Sequence, residues 1–330
     1  MNRRDTLGAF LGCAWGSSIC VDGALASTPV KRRGPPLIGR LSEGGPADYT
    51  IFRDAMRRLG HPDLAIEERP ARGDATKLAA FAAELVALPV DVVWTTGTIA
   101  TQAAQDASRT IPIVMVAADA LRGGLVDNLA HPGGNLTGLT LVGTELAAKR
   151  LELMRRLYPG VRRVVALAHG PGAATVPIVI DWLQRSQAAA DALRLAFSFV
   201  ELSPQPADWD REIGALAVAP GTALTLMESP FLLQQRAVLA EVALKHRLPS
   251  VYAFQEHVQA GGLFSYGVTN RYITERVAYY TSRILNGAKP GELPVEQPTK
   301  YELAINRQTA LALGLSIPRS ILVGADLLIG

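Results

Sequence analysis

Polar and small residues gather where short apolar runs of the chain end. Ser42-Glu43-Gly44-Gly45 follows the run from Pro36 to Leu41, and Thr95-Thr96-Gly97-Thr98 follows Val90 to Trp94. Asp119 comes just after Ile111 to Ala117, His169-Gly170 after Val164 to Ala168, and Glu228-Ser229 after Ala223 to Met227. Tyr252 to Glu256 and Ser265-Tyr266-Gly267 complete the series. Glycines let backbone amides approach a ligand, and a helix opening at Thr98 offers amides and a hydroxyl to a carboxylate. A carboxylate such as Asp119 receives an ammonium or hydroxyl, and tyrosines stack on a ligand or hydrogen-bond it. Capping, turn formation and core packing are the plainer roles of these same residues. Their shared place at strand ends makes one candidate ligand site: Ser42, Glu43, Gly97, Thr98, Asp119, His169, Glu228, Tyr252, Glu256 and Tyr266.

Catalytic patterns are few. The chain has no His-Glu-x-x-His helix, no Gly-x-Ser-x-Gly elbow, no Walker loop and no complete dinucleotide fingerprint. The histidines at 61, 131, 169, 246 and 257 are too widely spaced to form a metal set. The expectation is therefore no catalytic residue, no metal and no cofactor. An enzyme reading would rest on Glu43, Asp119 or Glu228 as a base in a hydrolase or isomerase.

The strand ends belong to a repeating plan. Strand-like runs alternate with amphipathic segments at Ala47 to Leu59, Thr76 to Leu88 and Ile99 to Ser108, which requires a parallel sheet covered by helices on both faces. The turn-rich Ala130-His131-Pro132-Gly133-Gly134-Asn135 leads to Leu136 to Val142, and a helix from Thr144 to Leu157 opens a second series on the same plan. Leu263 to Gly267, a helix from Ile273 to Leu285 and an extended piece at Lys300 to Ile305 read as returns between two lobes. The expected division is residues 37–138 with 268–293 in the first lobe and 139–267 with 294–330 in the second. Two such lobes leave a cleft at the carboxyl ends of their strands, where open parallel sheets bind ligands.

Before these lobes, Arg3-Arg4, an apolar run from Leu7 to Val21 and Ala24-Leu25-Ala26 form a removable export signal over residues 1–26, with 27–36 as a linker. The adjacent arginines resemble a twin-arginine signal, and the general secretory route stays open. Both cysteines, Cys13 and Cys20, lie in this segment, so the trimmed chain would carry no disulfide or thiolate. With 48% hydrophobic and 19% charged residues the chain is of the well-packed globular class. A net charge of +3 spread over short basic runs such as Lys31-Arg32-Arg33 gives no argument for nucleic acid.

Several longer stretches carry a family resemblance. They are Phe52 to Gly60, Asp91 to Thr98, Pro132 to Gly138, Lys149 to Leu153, Ala260 to Leu263, Gln297 to Leu303 and Ala312 to Pro318. With them the chain resembles the ABC transporter substrate-binding proteins, whose members include tryptophan-binding-protein-like chains. The resemblance implies the type I periplasmic binding fold, α/β with two Rossmann-like lobes of parallel strands joined by a three-crossover hinge. It further implies a periplasmic receptor, expected to be monomeric, that closes on a small polar solute, an amino acid or related molecule being favoured. The solute would pass to permease subunits driven by a separate ATPase. A sensory module of the same fold is the alternative. Ala168-His169-Gly170-Pro171-Gly172 stands where relatives often carry an Asn-Pro loop, a departure that touches specificity.

Overall fold

The computed structural model describes residues 34–170 and 172–330. The expected export signal and residues 27–33 of the linker lie outside them.

Five strands form the first sheet: β1 (Leu37–Ser42), β2 (Ala65–Pro70), β3 (Val92–Thr96), β4 (Ile113–Ala118) and β5 (Leu136–Leu141). They are all parallel, in the order β2-β1-β3-β4-β5. Between them run α1 (Thr50–Arg58), α2 (Leu78–Ala87) and α3 (Thr98–Ala107). Side chains alternate along each strand, so the sheet has two apolar faces. Ile38, Val92, Val114 and Leu139 face α1, which buries Phe52, Ala55 and Met56 at helical spacing. Leu41, Val93, Met115 and Leu136 face α2 and α3.

The second series follows as α4 (Gly143–Leu157), β6 (Arg163–His169), α5 (Pro177–Ala192), β7 (Ala196–Leu202), α6 (Trp209–Gly214) and β8 (Thr222–Leu226). It continues through α7 (Pro230–Gln234), α8 (Arg236–Lys245), β9 (Ser250–Tyr252), α9 (Gln255–Gln259) and β10 (Phe264–Gly267). Its parallel part has the order β7-β6-β8-β9-β10, the same pattern as the first sheet shifted by one repeat. Helix α10 (Asn270–Leu285) then goes back to the first lobe, where Ile273, Val277, Ala278 and Tyr280 join the core under Ile38 and Val114. Thr269 starts that helix by accepting the Tyr272 N–H at 3.2 Å. The chain ends in the second lobe with β11 (Glu302–Asn306), α11 (Arg307–Ala312), α12 (Arg319–Val323) and β12 (Leu327–Ile329). Strand β11 runs antiparallel to β10 and β12 parallel to β11, extending that sheet to seven strands.

The polypeptide thus passes between lobes three times: after β5, after β10 and after α10. Because β5 pairs with β4 along its whole length, the first passage falls after Leu141, three residues beyond the 138–139 boundary read from the preceding turn. Glu296 holds the third passage. Its backbone N–H donates to Gly138 O at 2.8 Å and its carbonyl accepts from Thr140 at 2.9 Å, while its carboxylate accepts from Arg276 Nε at 2.8 Å and from the Tyr272 hydroxyl. One carboxylate ties α10 to the passage beside β5. Glu296→Ala should lower the unfolding free energy by about 2 kcal/mol, the scale of hydrogen bonds to a charged group, read as an earlier urea midpoint.

Candidate functional site

In a sheet of order 2-1-3-4-5, the connections leaving strands 1 and 3 diverge to opposite faces, opening a crevice at their carboxyl ends. Both lobes have such a point: β1 beside β3 in the first, β6 beside β8 in the second. Ser42, Glu43, Gly97 and Thr98 lie at the first point and His169 and Glu228 at the second, with Asp119 at the end of β4.

In the first lobe most of these groups hold one another. The Ser42 hydroxyl accepts the Gly44 N–H at 3.1 Å. Glu43 lays its carboxylate on the opening turn of α3, where Oε1 accepts the N–H of Ile99 at 2.7 Å and of Ala100 at 3.3 Å. Gly97 makes room for that side chain: its φ is +112°, and a Cβ there would collide with the Glu43 carboxyl group. The Thr98 hydroxyl accepts from Ala118 N–H at 3.2 Å, fastening α3 to the end of β4. Asp119, at φ 39°, caps the next turn by accepting the Arg122 N–H at 3.3 Å and stands 3.4 Å from Arg122 Nε. The α3 amides that the sequence offered to a ligand carboxylate are therefore occupied by Glu43. Burial pushes the Glu43 carboxyl up to about 7, against the pull of its hydrogen bonds from Ala100 and Ile99.

In the second lobe, Glu228 pairs with the Arg150 guanidinium, which is only 1% exposed. Arg150 Nε also donates to the Tyr266 carbonyl at 2.9 Å, and Nη1 to Gly143 O at 3.4 Å. The Tyr266 ring leans on Tyr301, with centroids 6.0 Å apart. His169 lies across Phe231 at 4.1 Å, and burial lowers its pKa, which favours the neutral ring. Tyr252 does not join the cleft. It is fully buried with Trp209 and Leu239, stacks on His257 at 4.6 Å and bonds the Ser250 hydroxyl at 2.9 Å. Residues two apart on a strand share a face, and Ser250 and Tyr252 share the one covered by α6 and α8. Glu256 borders a groove with Gln234, Arg236 and Gln259, and burial raises its carboxyl pKa.

The two crevices face each other across direct contacts. A Cβ on Gly44 would stand 2.7 Å from the Pro230 carbonyl oxygen, and the Gln234 amide covers Gly45. A Cβ on Gly73, after β2, would stand 2.8 Å from His169 Nε2. At the rim, Arg122 of the first lobe reaches Asp181 of α5 at 2.7 Å. Arg150, Gln234 and Asp181 were not among the residues singled out from sequence. A signal for Arg150 did exist: it falls in the buried stripe Ala147, Leu151, Met154 of α4, where a charge needs a partner. Among the described residues no three His, Cys, Asp or Glu are grouped to hold a metal ion, and no helix is long and apolar enough to cross a membrane.

A family model described as ABC transporter substrate binding protein matches residues 46–329. The chain belongs to this family. A tyrosine-binding protein of Clostridioides difficile (strain R20291) is 23% identical to this substrate-binding family member over 268 residues, 80% of this chain and 75% of the relative. A solved domain from Streptococcus pneumonia in complex with L-Trp has a TM-score of 0.79 at 23% identity, covering 90% of this chain and all of that one. An open, ligand-free substrate-binding protein with adhesive properties from Clostridium difficile scores 0.60 at 20% identity, over 89% of this chain and 99% of that one. These structures share the fold of this family member.

Two stability measurements check the site. A carboxyl whose pKa rises from 4.5 to about 7 on folding binds its proton more tightly in the folded state, so its contribution falls as pH climbs through that window. Glu43→Gln keeps the Oε1 acceptor and removes the titration. The variant should match the parent at pH 4.5 and exceed it by about 1–3 kcal/mol at pH 8 in urea unfolding. Arg150→Met should cost about 3–5 kcal/mol by leaving the Glu228 carboxylate unpaired, and adding Glu228→Leu should recover part of that loss.

Proposed function

We propose that this protein is the extracytoplasmic receptor of an ABC uptake system and captures a small polar solute, an amino acid first of all, by closing its two lobes. The observation that carries the reading is the meeting of the two crevices: Gly44 and Gly45 seated on Pro230 and Gln234, with Arg122 reaching Asp181 at the rim. Loops this bare of side chains permit close approach, and a solute held between them is contacted by both lobes only when they are shut. An amino acid is favoured because one relative is named tyrosine-binding and a fold relative is described with L-Trp.

The cleft is built to hold and release a solute unchanged. Asp119 is engaged by Arg122, Glu228 by Arg150 and Glu43 by two backbone amides, so the three carboxylates that an enzyme would use as a base already have partners. The expected export signal places the working protein in the periplasm, by the twin-arginine or the general secretory route. Permease subunits with a separate ATPase are its partners there, and one receptor docking on one permease works as a monomer. The lobe assignment that serves this reading is β1 to β5 with α10 against α4 to β10 with the last two strands.

Calorimetric titration of the purified protein with the twenty common L-amino acids should find at least one binder, recovered chemically intact by mass spectrometry. Gly44→Ala should weaken that binder at least tenfold while shifting the unfolding midpoint little, because its methyl group obstructs closure and not folding. Turnover of the bound molecule, or affinity untouched by Gly44→Ala, would count against capture by closure.

A further inference from the structure

With the α3 amides occupied by Glu43, a solute carboxylate needs other donors, and the first lobe holds a group of them on its opposite face. Arg40 projects from β1 toward α1 and is 6% exposed. Its Nη1 bonds the Glu68 carboxylate and Gly45 O, the latter at 3.3 Å, and its Nη2 donates to Ser42 Oγ at 3.3 Å. Its Nε–H makes no hydrogen bond. The guanidinium carbon stands 5.1 Å from the ring centre of Trp94, 5% exposed, whose Nε1–H is also unpaired. The Tyr49 ring lies edge-on to Trp94 at 6.3 Å, and its buried hydroxyl, beside Glu68 and Arg40, makes no hydrogen bond of ordinary geometry. From the second lobe, the Gln234 amide rests on Gly45 with its Oε1 unpaired, while Leu233 and Phe254 pack into the same apolar cluster as Trp94.

Buried donors are nearly always bonded, and three left open in one place mark a position where something else supplies the acceptors. The open atoms are donors from Arg40, Trp94 and Tyr49 against one acceptor from Gln234. Arg40 and Glu68 neutralise each other, so this group of open atoms suits a molecule that is itself neutral overall yet rich in acceptor oxygens. An α-amino acid zwitterion has that form: carboxylate oxygens for the open donors, and an ammonium for Glu68 and the Gln234 oxygen.

We propose that Arg40, Trp94 and Tyr49 of the first lobe, shut in by Gln234 of the second, hold the carboxylate of a captured amino acid. The assignment rests on the reading of the protein as an amino-acid receptor. Because Gln234 arrives only with the second lobe, the set of donors and acceptors is complete only when the lobes are closed.

The test is calorimetric. The best binder among the twenty common L-amino acids is compared with its decarboxylated amine on the unaltered protein, then titrated into Trp94→Phe, which keeps the ring packing on Phe52, and Arg40→Lys, which keeps the charge beside Glu68. The expected result is an amine at least thirty times weaker than the amino acid, and an affinity loss of at least tenfold in each variant. An amine that binds as well as the amino acid overturns the proposal without need of a variant. Amino-acid affinity unchanged in folded Trp94→Phe and Arg40→Lys overturns it while leaving the receptor reading intact. No amino acid bound by the unaltered protein overturns both.

Discussion

The Arg150 guanidinium is the point on which the two-lobed arrangement depends. Placed inside the apolar stripe of α4, it must have its charge and its donors satisfied without water. It meets that demand with Gly143 O, from the first passage between lobes, Tyr266 O, beside the second, and the Glu228 carboxylate at the end of the cleft. The carboxylate in turn lies on Gly143, where a Cβ would strike it. One buried charge therefore fixes the distance between two connecting strands and the position of a cleft residue. Glu296 does a similar task at the third passage with two partners from α10. The first two connections are thereby tied to each other and the third to α10.

Closure places a second constraint on the loops that meet. The first lobe brings the bare backbone of Gly44, Gly45 and Gly73 against Pro230 and the side chains of Gln234 and His169. Leu233 and Phe254 of the second lobe add an apolar contact with Trp94 beside it. A ligand selects the shut state only by the contacts it makes there and not in the open one. The exposed Arg122 to Asp181 pair adds little, since an ion pair at the surface is worth well under 1 kcal/mol in most settings.

The layering of the fold was legible in the sequence because it depends on periodicity. Strands β1, β3, β4, β5, β6, β8 and β10 fall within a residue or two of the apolar runs that announce them, and the helices between show helical spacing. Strand β12 was not legible: Leu327–Ile329 is three residues long and has no alternation to read. The candidate site was legible only as a location. Tyr252 ends a strand, but its side of the sheet depends on the phase of a three-residue strand, and that phase turns it to the core. Thr98 and the amides after it look free in sequence, yet the carboxylate they hold comes from Glu43, more than fifty residues away. Arg40 and Arg150 carry the charge of surface residues and are buried, because their partners Glu68 and Glu228 are distant along the chain.

The route of the chain also dictates when each lobe can be finished. The face of the first sheet formed by Val114, Val116 and Leu139 is covered by α10, which lies behind the whole parallel part of the second sheet in sequence. A chain growing from its amino terminus therefore keeps that apolar face uncovered until α10 has been made. Its cooperative collapse must wait for that helix. The parallel strands of the second lobe are thereby an insertion within the folding unit of the first.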